Sequence, residues 1–138
     1  MPNRRAFLGT SAAALPILAR FASGETSLLP SVVIDPVNAK LTHESYGDLR
    51  IYFDAPTEHL RALTVGSLVL NAGMVPHPPH QHAEEEIMLV TDGAGEITVE
   101  AKAYPVGPGS MMYCSGMRMH GITAGPHGLT FYFYKWRA

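Results

Sequence analysis

Residues 73–93 read GMVPHPPHQHAEEEIMLVTDG. Three of the seven histidines of the chain lie at positions 77, 80 and 82, just before a run of three glutamates. Side chains alternate between the two sides of an extended strand, so His80, His82 and Glu86, which have the same parity, would project to one side. Two neutral imidazoles and a carboxylate suit a divalent transition metal. The stretch therefore predicts an extended segment that carries a metal site.

The rest of the chain after residue 28 predicts β-strands. No long stretch there keeps an apolar period of 3.6 residues, and short runs of β-branched and aromatic residues recur between prolines and glycines. About eight short, evenly spaced strands favour an all-β sandwich or barrel. A hairpin turn is predicted at residues 91–95. The predicted strands are residues 31–34, 50–53, 60–70, 87–91, 96–100, 110–113, 121–123 and 129–135.

The same stretch resembles the first motif of the cupin superfamily, Gly-x5-His-x-His-x3,4-Glu-x6-Gly. The intervals from His80 through His82 and Glu86 to Gly93 all match that motif. The one departure is the first spacer, because six residues rather than five separate Gly73 from His80.

Residues 107–124 are similar to the second cupin motif, Gly-x5-Pro-x-Gly-x2-His-x3-Asn, in a degraded form. The sequence CSG at 114–116 stands at the usual Pro-x-Gly, and three residues rather than two precede His120. Ala124 stands where the motif commonly has Asn. The resemblance covers the chain from about residue 60 to the C-terminus.

This resemblance implies an all-β fold, a small double-stranded β-helix (cupin or jelly-roll) barrel. It also implies a site for one divalent metal, for which Fe, Mn, Ni, Cu and Zn all fit the donor set. The implied metal ligands are His80, His82, Glu86 and His120.

Two residues are candidates for catalysis. Glu86 could accept a proton at the edge of the metal, and His77, on a stiff segment between Pro76 and Pro78, could carry protons near the open site. The alternative for His77 is a loop histidine at the mouth of the barrel. Glu84 and Glu85 are expected to be solvated loop charges. Pocket or core positions are expected for Tyr113, Phe131 and Phe133, and a packed, unreactive thiol for Cys114.

Residues 1–24 predict an export signal. Arg4 and Arg5 precede an apolar run, small residues follow it, and no acidic residue occurs before Glu25. The sequence RRAFL resembles the twin-arginine (Tat) signal, with Asn3 and Gly9 as departures. The alternatives are an amphipathic helix of the fold and an uncleaved tether. The predicted organisation is a signal peptide at 1–24, a linker or arm at 25–40 and a cupin barrel at 41–138, with periplasmic localisation and no stable membrane insertion after processing.

Composition excludes several classes of partner and cofactor. The chain of 138 residues carries a net charge of −2, so it lacks the basic surface that nucleic-acid binding requires. A single cysteine excludes an internal disulfide and a multi-thiolate metal site. The family resemblance implies a homodimer, because small cupins commonly pair through their sheet faces and the aromatic strand at 131–136 offers an apolar face to bury.

Two functions from different classes follow. The first is a metal-dependent oxidoreductase of the dioxygenase type that acts on a small organic substrate, because three or four protein ligands leave positions open on the metal. The second is a non-catalytic periplasmic module that binds a small ligand or a metal. A metal-independent sugar isomerase or epimerase is disfavoured, because every ligand position is filled.

Overall fold

The computed structural model describes residues 26–138, in which seven strands form one antiparallel sheet and no helix occurs. The order in the sheet is β1-β2-β3-β7-β4-β5, and β6 pairs with β4. The predicted all-β jelly-roll fold is confirmed. The predicted signal peptide lies outside the described residues. The strands are β1 (Lys40–Glu44), β2 (Gly47–Asp54), β3 (Ala62–Leu70), β4 (Glu85–Val99), β5 (Lys102–Val106), β6 (Met111–Cys114) and β7 (His120–Arg137).

Two long strands, β4 and β7, organise the barrel. The first half of β4 pairs with β6 and the second half with β5, while β7 pairs with β4 along its length and with β3 from Leu129 onward. Register shifts occur between Val90 and Asp92 and between Gly93 and Gly95. Such bulges bend a strand and increase its twist, so the two halves of β4 and β7 curve around a common interior.

Residues from both halves of the long strands fill that interior. Alternate positions of β3, β4, β6 and β7 contribute to the core, which is the usual arrangement of a small barrel. The buried core cluster consists of Leu68, Leu70, Met88, Val90, Ile97, Met112, Cys114, Ile122, Ala124, Leu129 and Phe131.

The predicted hairpin turn at 91–95 is wrong. Residues 91–95 lie inside the continuous strand β4, where Gly93 has a φ of 74°. The glycines that suggested a turn serve as bulge residues instead. Residues 121–123 and 129–135 likewise belong to one strand, β7, and not to two.

The predicted strands differ from the structure in three further places. Residues 31–34 form no strand. The sequence patterns did not predict β1 or β5, which lie at the two ends of the strand order. All five residues of β1 are exposed, and β5 contains Pro105, which an edge strand tolerates. Neither strand shows the apolar alternation by which a half-buried strand is recognised.

None of the described residues belongs to a helix of the length and hydrophobicity that a transmembrane span requires.

Candidate metal centre

Four side chains from three parts of the chain meet at one end of the barrel. Glu86 is the second residue of β4 and is 4% exposed, and His120 begins β7 and is 2% exposed. His80 and His120 form an isolated β-bridge in which each backbone N–H donates to the other carbonyl at 2.9 Å. His82 follows two residues after His80. The bridge brings the first and second motifs of the sequence together.

The ligand-type atoms of these residues converge. One atom from each of His80, His82, Glu86 and His120 lies within 4.8 Å of the corresponding atom of every other. The Nε2 atoms of His82 and His120 each lie 2.9 Å from the same carboxylate oxygen, Oε2 of Glu86. The four residues implied by the family resemblance therefore form a cluster that could hold a metal ion.

Backbone carbonyls orient two of the three imidazoles. His82 Nδ1–H donates to the carbonyl of Glu84, and His120 Nδ1–H donates to the carbonyl of Arg118, both at 3.0 Å. A proton held on Nδ1 leaves the lone pair of the neutral ring on Nε2, which faces Glu86. Hydrogen bonds of this kind fix the ring and tautomer of a metal-binding histidine. Both rings are thus held in the orientation and tautomer that place Nε2 toward a metal.

The charge balance of the cluster also fits a cation. Burial tends to raise the pKa of Glu86, but hydrogen bonds and charge from His120 and His82 outweigh it and lower the pKa below its usual value. Since both Nδ1 atoms already donate, each Nε2 needs a further proton to donate to Glu86. When both rings are neutral, the buried carboxylate oxygen of Glu86 and the two Nε2 atoms are all electron-pair donors facing one another. A divalent ion between them would supply the positive charge that this arrangement lacks.

His80 differs from the other two histidines. Its pKa is lowered to about 4 by burial and by the charges of His77, His120 and His82, so the ring is neutral at physiological pH. The ring of His77 stacks on it with a centroid separation of 3.8 Å. His77 itself is exposed, and its Nδ1–H donates to the carbonyl of Pro78 at 2.9 Å. His77 therefore covers His80 from the solvent side.

A cavity of about 150 Å³ opens beside the cluster. Its polar lining includes His77, His80 and Glu86 from the predicted site. Tyr46 and Lys135 complete the polar part of the lining. The apolar wall consists of Leu49, Leu68, Met88, Ile122, Phe131 and Phe133, with Pro76 at the rim.

Sequence reasoning missed Tyr46 and Lys135. Lys135 has the same parity in β7 as Phe131 and Phe133, so the strand pattern contained the signal that it faces inward. Tyr46 lies in the turn between β1 and β2, where no periodic pattern indicates a direction. Burial, and to a smaller extent the charge of Glu44, raises the pKa of Tyr46, so its hydroxyl stays protonated at neutral pH.

Two expectations near the site need correction. Glu85 is half-buried, not a free loop charge: it accepts hydrogen bonds from the Tyr113 hydroxyl at 2.5 Å and from Trp136 Nε1 at 3.0 Å. Tyr113 is 57% exposed and lies neither in the core nor in this cavity, because its parity in β6 directs it outward. Together these residues connect β6, β4 and β7 on the outer face.

Other expectations agree with the structure. Phe131 is a core residue, and Phe133 packs against the core and lines the cavity. Cys114 is buried, and burial with nearby carboxylate charge raises the pKa of its thiol, as an unreactive packed cysteine requires.

Metal affinity is expected to rise with pH through the titration of His120. Burial lowers the pKa of this ring, but its bonds to Glu86 and to the Arg118 carbonyl raise it above the ordinary 6.5. The proton on His120 must leave when a metal binds, so affinity falls as the pH drops below this raised pKa. His80 has a pKa of about 4, so it is neutral above pH ~5 and adds no pH dependence to the metal affinity there. Calorimetric Zn²⁺ titrations in two buffers of different ionisation enthalpy would count the released protons. An affinity that stays constant between pH ~5.5 and ~7.5 would contradict this assignment.

The sequence is similar to a known domain family and to one characterised enzyme. Residues 67–127 match the model of the cupin domain. The sequence is similar to dimethylsulfoniopropionate lyase DddW of Ruegeria pomeroyi, with 29% identity over 107 residues that cover 74% of this chain and 70% of the relative.

Solved structures share the fold. An RmlC-like cupin from Shewanella frigidimarina superposes with a TM-score of 0.64 at 14% identity, covering 76% of this chain and 89% of that one. KdgF from a Halomonas species gives a TM-score of 0.64 at 22% identity, covering 79% and 96%. Residues 67–127 therefore resemble the cupin domain, and the two solved structures share the barrel fold with this chain.

Proposed function

We propose that this protein is a metal-dependent enzyme that acts on a small organic molecule. The observation that carries the proposal is the cluster of three imidazoles and one carboxylate, of which Glu86 and His120 are buried, beside a largely apolar cavity. The residues that would hold the metal are His80, His82, Glu86 and His120. A bound divalent ion would act as a Lewis acid on a substrate oxygen.

The chain's own residues would bind and enclose the substrate. The apolar wall excludes water and contacts the carbon skeleton, while Tyr46 offers a protonated hydroxyl as a donor. Glu86, as a proton acceptor, would be a weak base because its pKa is lowered. His77, stacked over His80 and exposed to solvent, is placed to exchange protons with water at the cavity mouth.

Two reaction classes have support. An oxidoreductase of the dioxygenase type is supported by a donor set that would leave positions open for substrate and dioxygen. A lyase is supported by the similarity to dimethylsulfoniopropionate lyase DddW over 74% of the chain. A lyase turns over without dioxygen and a dioxygenase consumes it, so the two are separable in one assay.

The test is to incubate the purified protein with dimethylsulfoniopropionate and with a panel of phenolics, diketones and thiols, with and without dioxygen. Product formation and oxygen uptake are followed together. Turnover is expected for wild type and to be lost in His120→Ala. The control is His127→Ala, which replaces an exposed histidine near the middle of β7 and should retain turnover. Turnover that His120→Ala retains in metal-free form would contradict a metal-dependent enzyme. A metal-loaded protein that turns over none of the panel would favour the non-catalytic binding module.

We also propose, from the sequence alone, export by the twin-arginine route to the periplasm and assembly as a homodimer. Replacing Arg4 and Arg5 by lysine should retain the protein in the cytoplasm, and light scattering of the purified protein reports its mass in solution. Retention of the unaltered chain in the cytoplasm would contradict the export proposal. A mass equal to that of one chain would contradict the homodimer.

A further inference from the structure

Lys135 lies inside the barrel, next to the candidate metal centre. In the pairing of β4 with β7, Lys135 is the Cα partner of Glu86. Directly opposed residues of an antiparallel pair project from the same face of the sheet, with Cβ atoms about 5 Å apart. Both side chains line the same cavity, and Lys135 is half-buried there. A lysine at this position faces the substrate space, not the solvent outside the barrel.

The ammonium group has no anionic partner in the described part of the chain. Lys135 takes part in none of the ion pairs or side-chain hydrogen bonds found among residues 26–138. Its Nζ lies 5.7 Å from the centre of the Phe133 ring. Glu86, the carboxylate on the facing strand, is instead engaged by His82 and His120. A half-buried ammonium that lines the cavity and lacks a partner on the described residues is available to pair with an anionic ligand there.

The charges around the cavity favour an anion. Glu86 and Lys135 are the charged residues in the cavity lining. A divalent ion held by Glu86 and three neutral imidazoles leaves a single positive charge at the metal, to which the ammonium of Lys135 adds a second. Such a pocket attracts a negatively charged substrate and rejects a neutral one of the same shape.

The size and the donors of the cavity limit the kind of anion. An engineered protein cavity of about 150 Å³ holds one benzene molecule, so this cavity of about 150 Å³ has room for roughly six non-hydrogen atoms. Phosphate groups are commonly bound by several donors, such as bidentate arginines or the N–H groups of a helix start. Here one ammonium and one tyrosine hydroxyl face an apolar wall, which suits a carboxylate.

We propose that Lys135 is a specificity-determining residue that binds the carboxylate of a small organic acid in the cavity beside the candidate metal centre. This inference rests on the proposed function, because it identifies the substrate class of the same site. In this arrangement the carbon skeleton lies against Phe131 and Phe133, and the carboxylate accepts a hydrogen bond from Nζ.

The test compares three probes of similar size: propionate, its neutral counterpart propionamide, and ethylphosphonate. Dissociation constants are measured by ligand-observed NMR for the wild type, Lys135→Met and Lys135→Arg, each as purified, with the metal content and thermal unfolding of each recorded. Lys135→Met keeps the length of the side chain and removes the charge, while Lys135→Arg keeps the charge.

Wild type is expected to bind propionate more tightly than propionamide. Lys135→Met should weaken propionate binding about tenfold or more, the loss typical of a hydrogen bond to a charged group, and leave propionamide binding unchanged. Lys135→Arg should retain most of the preference.

Three results would overturn the assignment of Lys135. They are equal propionate affinity in folded wild type and Lys135→Met, no saturable propionate binding to the wild type, and tighter binding of ethylphosphonate than of propionate. Failure of the proposed function gives a different result. A folded wild type that carries no metal and takes up none when metal is supplied would refute the metal-dependent enzyme, while the comparison of Lys135→Met with wild type would still report on the ammonium.

Discussion

Glu86→Gln is expected to weaken metal binding by more than about 100-fold. Glutamine has nearly the shape of glutamate but no charge, so a buried cation would lose its one anionic ligand and the acceptor shared by His82 and His120. Removing residues that only support metal ligands typically costs 10–100-fold, and loss of a ligand should exceed that range. Competition between the protein and a chromogenic chelator for Zn²⁺ measures the change.

Glu84→Gln is the matched control for this substitution. Glu84 is also close to the site, with Oε2 3.4 Å from Nδ1 of His82, but it is not part of the cluster of four. Its backbone carbonyl, which holds His82, is unaffected by the substitution. We expect Glu84→Gln to change Zn²⁺ affinity by less than about tenfold. Equal losses in Glu84→Gln and Glu86→Gln would show that general negative charge, and not the carboxylate in the cluster, attracts the ion.

Gly93→Ala is expected to destabilise the barrel by at least about 3 kcal/mol, through strain and a steric clash together. Gly93 has a φ of 74°, a left-handed conformation that costs an L-residue roughly 1–2 kcal/mol. A Cβ at this position would collide with the backbone of Gly128 and Leu129 on the paired strand β7. Backbone atoms of a central strand cannot move aside without breaking the β4–β7 pairing.

Gly73→Ala separates the two contributions. Gly73 has a similar φ of 69°, but a Cβ there would meet nothing within 4 Å. Its substitution should cost only the conformational strain, roughly 1–2 kcal/mol. In thermal unfolding, we expect Tm to fall by about 10 °C or more for Gly93→Ala and by a few degrees for Gly73→Ala. Similar shifts for both variants would mean that the bulge accommodates a side chain.

The four residues of the candidate metal centre were predictable mainly from the motif spacing in the sequence. That spacing includes His120 from a distant part of the chain. The predicted extended segment is not observed, because residues 81–84 form no strand and β4 begins only at Glu85, so strand parity does not explain why His80 and His82 meet Glu86. The structure brings all four together through the bridge between His80 and His120. Parity would have identified Lys135, since it continues the inward-facing series of Phe131 and Phe133.

Other features depend on tertiary context that local patterns do not contain. An Asp-Gly sequence at 92–93 suits a hairpin turn, and the same positive φ suits a bulge; the pairing with β7 selects the bulge. β1 and β5 lie at the two ends of the strand order and nearly all their residues are exposed, so their sequences contain no apolar face to recognise. Tyr46 reaches the cavity from a turn, where no periodicity gives a direction.

The most direct test of the account is elemental analysis of the full-length protein, purified without added metal, beside the double variant His80→Ala/His82→Ala. We expect close to one equivalent of a divalent transition metal in the wild type and almost none in the variant. Iron, manganese, nickel or copper would support the dioxygenase class, whereas zinc would restrict the chemistry to Lewis-acid reactions such as those of a lyase. A correctly folded wild type that carries no metal, and takes up none when metal is supplied, would contradict the central claim.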